Sequence, residues 1–198
     1  MADFVPVGGR PSPFYEVGKD LSGSWGRTFL VKYIRANGMF PVLCVSLLGP
    51  NMTLQTPPGL EGSSLADQRW REAYLDAVIE VVRSSRPLFL CVANEVNRWY
   101  ERYGSGSANP NGFQHLVSLY EEIYDAVKAV SPETRVFCTF AREIVSENRE
   151  ADLGVLCMFD PERMDLLVLT SYPFAVREIN SPNEIPDDYY LEAAKYLP

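Results

Sequence analysis

A chain of 198 residues is long enough to bury one substantial core and fits a single domain. With 46% hydrophobic and 22% charged residues it is composed like an ordinary folded protein, and no apolar run approaches the roughly 18 residues that a spanning helix needs, so no membrane is expected as a partner. The formal net charge of -8 repels phosphate backbones and no stripe of Lys and Arg offsets it, so no nucleic acid is expected either.

The start, MADFVPVGGRPSPFYEVG, has neither a basic opening nor an apolar stretch of about 7 to 15 residues; it does not resemble a secretory signal, and the expected location is cytoplasmic. Residues 1–23 are expected to be irregular. From Ser24 to Asn37 the spacing predicts a helix with Trp25, Phe29 and Ile34 on one face, stopped at Gly38. A strand over Pro41 to Leu48 follows, then a loop rich in Pro and Gly from Gly49 to Gly62. Ser64 with Asp67 three residues on forms a candidate cap for a helix whose apolar face is Trp70, Tyr74, Ala77, Val78 and Val81.

The second strand is Leu88 to Ala93. After a polar loop, Gly104 to Gly112, comes a helix with Leu116, Leu119, Tyr120, Ile123, Tyr124, Val127 and Val130 on its buried face, ended by Ser131-Pro132. Strands over Val136 to Phe140 and Leu166 to Thr170 complete the set, with a short helix around Glu147 to Met158 between them and a last helix over Asp187 to Tyr196. Cys44, Cys91, Cys138 and Cys157 each sit in an apolar run without metal spacing, as buried free thiols would.

Four strands that are continuous apolar runs predict a parallel sheet covered on both faces. The repeating strand-helix order admits an open doubly wound sheet or a (β/α) TIM-type barrel. No Gly-rich phosphate turn follows any strand, whereas every strand ends in a polar cluster: Gly49-Pro50-Asn51, Asn94-Glu95, Arg142-Glu143 and Ser171-Tyr172-Pro173. That favours the barrel. A complete one takes about 250 residues and eight strands. This chain is therefore expected to be a single partial barrel, 1–198.

Glu95 is the first candidate reagent. A carboxylate at the end of an apolar strand sits in the partly dry setting that a general acid working near neutral pH requires, and Asn94 beside it can donate to a substrate hydroxyl. From position alone it could equally cap the next helix or pair with Arg98 or Arg102. The stretch PLFLCVANEVN (Pro87 to Asn97) resembles the fourth strand of the retaining glycoside hydrolases of the large (β/α)8 clan, where an acid/base glutamate follows an asparagine. In that resemblance PVLCVSLLGPN corresponds to the third strand, RVFCTFARE to the fifth and DLLVLTSYP to the sixth. It implies that Glu95 protonates the glycosidic oxygen and later activates water, while Asn94 binds the neighbouring sugar hydroxyl.

The clan's nucleophile is a second glutamate ending strand seven, and the chain stops at KYLP where that strand should begin; the isolated chain is therefore expected to be inactive. Glu143 is the other rim carboxylate, a possible second carboxylate whose plainer reading is a salt bridge with Arg142 or Arg149. Asp160 and Asp165 are expected in turns. Substrate-binding candidates at the rim are Asn94 and Asn51, with Tyr172, Trp99, Tyr100 and Phe174 as aromatic platforms, Tyr172 first. His115, the one histidine, is expected to be a surface or capping residue. No metal or organic cofactor is implied. The expected partner is a carbohydrate, with self-association through exposed sheet edges. A non-catalytic carbohydrate-binding or partner-associating partial barrel is the alternative, and a doubly wound hydrolase or transferase a third reading.

Overall fold

Among the described residues five parallel strands form the central sheet, and they lie side by side in chain order. The computed structural model describes residues 4–7, 13–176 and 179–196. Its strands are β1 (Phe4–Val7), β2 (Phe40–Cys44), β3 (Phe89–Ala93), β4 (Arg135–Ala141) and β5 (Val168–Thr170). The main helices are α1 (Phe14–Ser22), α2 (Ser24–Thr28), α3 (Gln68–Ser85), α4 (Val96–Tyr103) and α5 (Phe113–Val130).

Strand order decides the fold class. A doubly wound sheet reverses direction at a switch point, and the order β1-β2-β3-β4-β5 contains no reversal. Helix packing agrees, because α1 packs on α3 and α3 on α5, so successive crossovers form one layer. The chain is thus a curled, partial barrel-like α/β fold, and the doubly wound reading is excluded.

Burial follows the curl. All six residues of β4 after Arg135 are buried, and so are Leu90 to Ala93 of β3. In β2, by contrast, burial alternates, and β5 is half-buried throughout. The middle of the sheet is covered on both faces, whereas its flanks have one face only partly covered.

Among the described residues the sheet has one strand more than expected, and within the segment expected to be irregular Phe4–Val7 supplies β1 and Phe14–Ser22 supplies α1. A four-residue FVPV segment carries little pattern, and its proline is tolerated because β1 lies at an edge. Gly18 obscures the periodicity of α1 but serves its packing, since a Cβ there would lie 2.8 Å from the Glu80 side chain of α3.

Between Ser24 and Asn37 the chain is helical as expected, but it passes from α2 into a π-helix over Phe29–Ile34 and a 3₁₀ turn over Arg35–Asn37, ending at left-handed Gly38. Bonding from i to i+5 breaks the 3.6-residue period. Trp25 is accordingly exposed and stacks on Phe29, while Ile34 is buried. Asp67, not Ser64, caps α3, accepting from the Arg69 and Trp70 amides.

The expected helix near Glu147 to Met158 is replaced by a small hairpin, Glu143–Ile144 against Arg149–Glu150, and a 3₁₀ turn over Gly154–Met158. In that turn Val155 and Leu156 face inward and Cys157 outward, so this cysteine is exposed. Val130, at the last position of α5, is also exposed. The final helix shortens to one turn, Leu191–Ala194.

One buried hydroxyl ties helix layer to sheet. Tyr74 of α3 donates to the Val45 carbonyl at 2.6 Å and bonds to that of Val92, just past β2 and inside β3. Tyr74→Phe leaves both carbonyls without this donor and should cost about 1 to 3 kcal/mol. Urea titration with an unchanged slope checks it; a midpoint equal to wild type would refute the role.

Candidate active site at the barrel rim

Parallel strands end together, so the segments after β2, β3, β4 and β5 meet at one rim. Glu95 follows β3 directly and holds a left-handed backbone (φ 49, ψ 47), a conformation costing a residue with a side chain roughly 1 kcal/mol or more. The surroundings enforce it. The Glu95 amide donates to Thr139 Oγ1 of β4 at 2.8 Å. The buried Asn97 side chain accepts from the Ala141 amide at 2.8 Å and donates to the Ala141 carbonyl at 2.9 Å and that of Asp152 at 3.1 Å.

The Glu95 carboxylate is then aimed. Oε1 accepts from Thr170 Oγ1, at the end of β5, at 2.8 Å, and Oε2 pairs with Arg98 Nη1 at 2.7 Å. Its side chain is 21% exposed. Of the two alternatives for Glu95, the Arg98 pair exists, Arg102 instead bonds the Asn51 carbonyl, and no side-chain cap of α4 forms. Reaching a β5 hydroxyl from the end of β3, past the intervening strand, is natural on the concave side of a curled sheet.

Asn94 is exposed, and its Oδ1 accepts from the Cys44 thiol at 2.9 Å and the Cys91 thiol at 3.2 Å. Asn51 is an exposed residue with positive φ in the turn after β2, linked to α4 through Arg102. Trp99 is different. It is completely buried, donates its indole N–H to the Asn111 carbonyl at 2.7 Å and packs on Tyr103, so it offers no platform. The cause is helical phase: Trp99 falls on the inner face of α4 with Val96. Tyr172 and Phe174 are exposed beyond β5.

Glu143 makes neither expected salt bridge. It is buried, and its carboxylate accepts from Ser171 Oγ at 3.0 Å, from the Tyr172 amide at 2.7 Å and from the Tyr189 hydroxyl. Arg142 pairs with Glu150 at 2.9 Å and Glu192 at 3.4 Å, and Arg149 with Glu101 and Glu147, each at 2.7 Å. Glu143 therefore fixes the backbone entering the Tyr172 segment. Consecutive residues Thr170 and Ser171 thus serve the two carboxylates, one each.

Thr139, Thr170, Asn97 and Tyr189 were not singled out from the sequence. For the threonines a signal existed: each is an isolated polar residue near the end of an apolar strand, in VFCTFA and LLVLT. Asp165 does more than turn the chain, accepting from the Val136 amide and pairing with Lys128, each at 2.7 Å. His115 Nε2 lies 3.1 Å from the Ser107 carbonyl at the start of α5. Among the described residues no group of three or more His, Cys, Asp or Glu is arranged to hold a metal ion, and no helix is long and apolar enough to cross a membrane.

No protein-family model and no curated protein matches the chain. Among solved structures it is similar to a β-galactosidase from the psychrophilic Marinomonas ef1, with TM-score 0.49 and 14% identity, covering 86% of this chain and 36% of that one. A second similarity is to the β-glycosidase BGL167, with TM-score 0.40 and 17% identity, covering 65% of this chain and 45% of that one. The chain spans less than half the length of either.

Two outcomes follow from this geometry. Glu143→Leu removes the acceptor for three donors and should destabilise the chain by roughly 1 to 3 kcal/mol, read by guanidinium titration. Loss of under about 0.5 kcal/mol would show that the three bonds are idle. Glu101 ties α4 to the hairpin through Arg149, which holds its carboxyl below the usual range. A lowered value contributes stability above the unfolded pKa of about 4.3 and loses it as pH falls through the folded one. The melting-temperature gap between wild type and Glu101→Gln should therefore close below about pH 4; a gap constant with pH would contradict it.

Proposed function

We propose that the chain is the catalytic-acid segment of a glycosidase-type (β/α) barrel that hydrolyses O-glycosidic bonds with retention, Glu95 serving as acid/base. One observation carries this: Glu95 stands at the C-terminal rim in a strained turn, with its backbone and both carboxylate oxygens held by β4, β5 and α4. Such over-determination of a costly conformation is typical of functional positions. In the proposed step Glu95 gives a proton to the leaving oxygen and then takes one from water, while the exposed Asn94 bonds the sugar hydroxyl beside the reacting carbon and Tyr172 supplies a ring face.

Retention needs a second carboxylate about 5 to 5.5 Å away as nucleophile. Glu143 is a poor choice, being buried under three donors. On this reading the 198-residue chain alone turns over no substrate. The alternative, a non-catalytic carbohydrate-binding or partner-associating partial barrel, draws support from the Arg98 pair, which already occupies one Glu95 oxygen.

Glu95→Gln in the full gene product, assayed on nitrophenyl glycosides, separates the two readings. Loss of roughly 100-fold or more in kcat with binding retained is the expected result. Wild-type turnover in the variant would sink the acid/base assignment, and sugar binding without turnover in the unaltered gene product would favour the alternative.

A further inference from the structure

The rim holds a pair of groups that the proposed chemistry does not use. Cys44, the last residue of β2, and Cys91 of β3 are Cα partners in the parallel ladder. Adjacent strands lie about 4.8 Å apart, within the span of roughly 4.4 to 6.8 Å between Cα atoms that a disulfide bridges. In-register partners point to the same face of a sheet, and here both thiols donate to one atom, Asn94 Oδ1, at 2.9 and 3.2 Å. A single acceptor gathers the two sulfurs.

Exposure and acidity divide the pair. Cys44 is half-buried and Cys91 buried, so a small oxidant reaches Cys44 first. The hydrogen bond from Cys91 holds the Cys44 thiol below its usual value, while that bond and burial push Cys91 well above it. The less buried residue of the pair is the one whose thiol favours the thiolate, the nucleophilic form. Cys138 is buried with its thiol pushed up by desolvation, and Cys157 is exposed in the turn over Gly154–Met158.

We propose that Cys44 and Cys91 form a peroxide-oxidisable pair that closes a cross-strand disulfide beside Asn94. The Cys44 thiolate attacks one oxygen of hydrogen peroxide, forming an S–O bond as the O–O bond breaks; hydroxide leaves and takes up a proton as water. Cys91 then attacks the sulfenic sulfur, forming the S–S bond and expelling a second water. Two thiols lose two electrons and two protons, and one peroxide becomes two waters. Closure removes both donors from Asn94 Oδ1 and frees that amide to turn. The pair stands on the sheet geometry alone and does not depend on the glycosidase reading.

The test treats the folded chain with hydrogen peroxide and maps its peptides without reduction. A linked peptide joining Cys44 to Cys91 is expected, reversed by dithiothreitol and absent from Cys44→Ser and Cys91→Ser. The Asn94 side-chain amide resonances should move on oxidation of wild type and stay put in both variants. Exposed Cys157 serves as the internal sign that peroxide acted. Oxidised Cys157 with Cys44 and Cys91 unlinked, Cys44 halted at sulfinic acid with Cys91 free, or linkage through Cys138 would each overturn the proposal.

Discussion

Parallel pairing in chain order is the constraint from which the chemistry of this chain follows. Each strand must return to the same starting end before the next can pair, so every crossover carries a helix or a long loop and every C-terminal end faces the same way. Because order never reverses, the helices share one layer and the sheet curls away from it. Polar residues that are far apart in sequence, such as Glu95 and Thr170, are thereby brought within hydrogen-bonding distance.

The turn that presents Glu95 illustrates how a costly backbone is held. Its left-handed conformation has no glycine to relieve it; instead Thr139 captures the amide and the buried Asn97 amide clamps α4 to β4 and to Asp152. The Arg98 pair adds a second requirement. Any group approaching Oε2 has to displace or share that guanidinium, which couples access at Glu95 to the conformation of α4. Glu143 does the opposite kind of work, since its bonds are turned inward and organise the segment after β5 instead of the solvent-facing rim.

The partial sheet leaves its flanks thinly covered, and Cys44 lies in that thinner region while Cys91 lies in the covered middle. Cys44 is half-buried because β2 alternates between covered and open faces, whereas Cys138 in β4 is covered on both sides. One residue type thus meets different chemistry according to strand position. β2 and β5 read as apolar runs in sequence although neither is fully enclosed.

Much of the architecture was legible beforehand. Apolar runs over PVLCVSLL, LFLCVA, VFCTF and LLVLT are sufficient to mark parallel strands, though β2 ends at Cys44, short of Leu48, and the polar cluster after each marks the rim, because hydrophobic periodicity and strand ends are local properties. What failed locally was short or irregular: β1, with four residues and a proline, and the π-helix that exposes Trp25. The amino-acid sequence by itself determined β2 to β5, the α/β class and the candidacy of Glu95, Asn94 and Tyr172. Only the tertiary structure decided which faces were available, burying Trp99 and Glu143, pairing Glu95 with Arg98 and Thr170, and setting Cys44 against Cys91, because burial and pairing depend on neighbours distant in the chain.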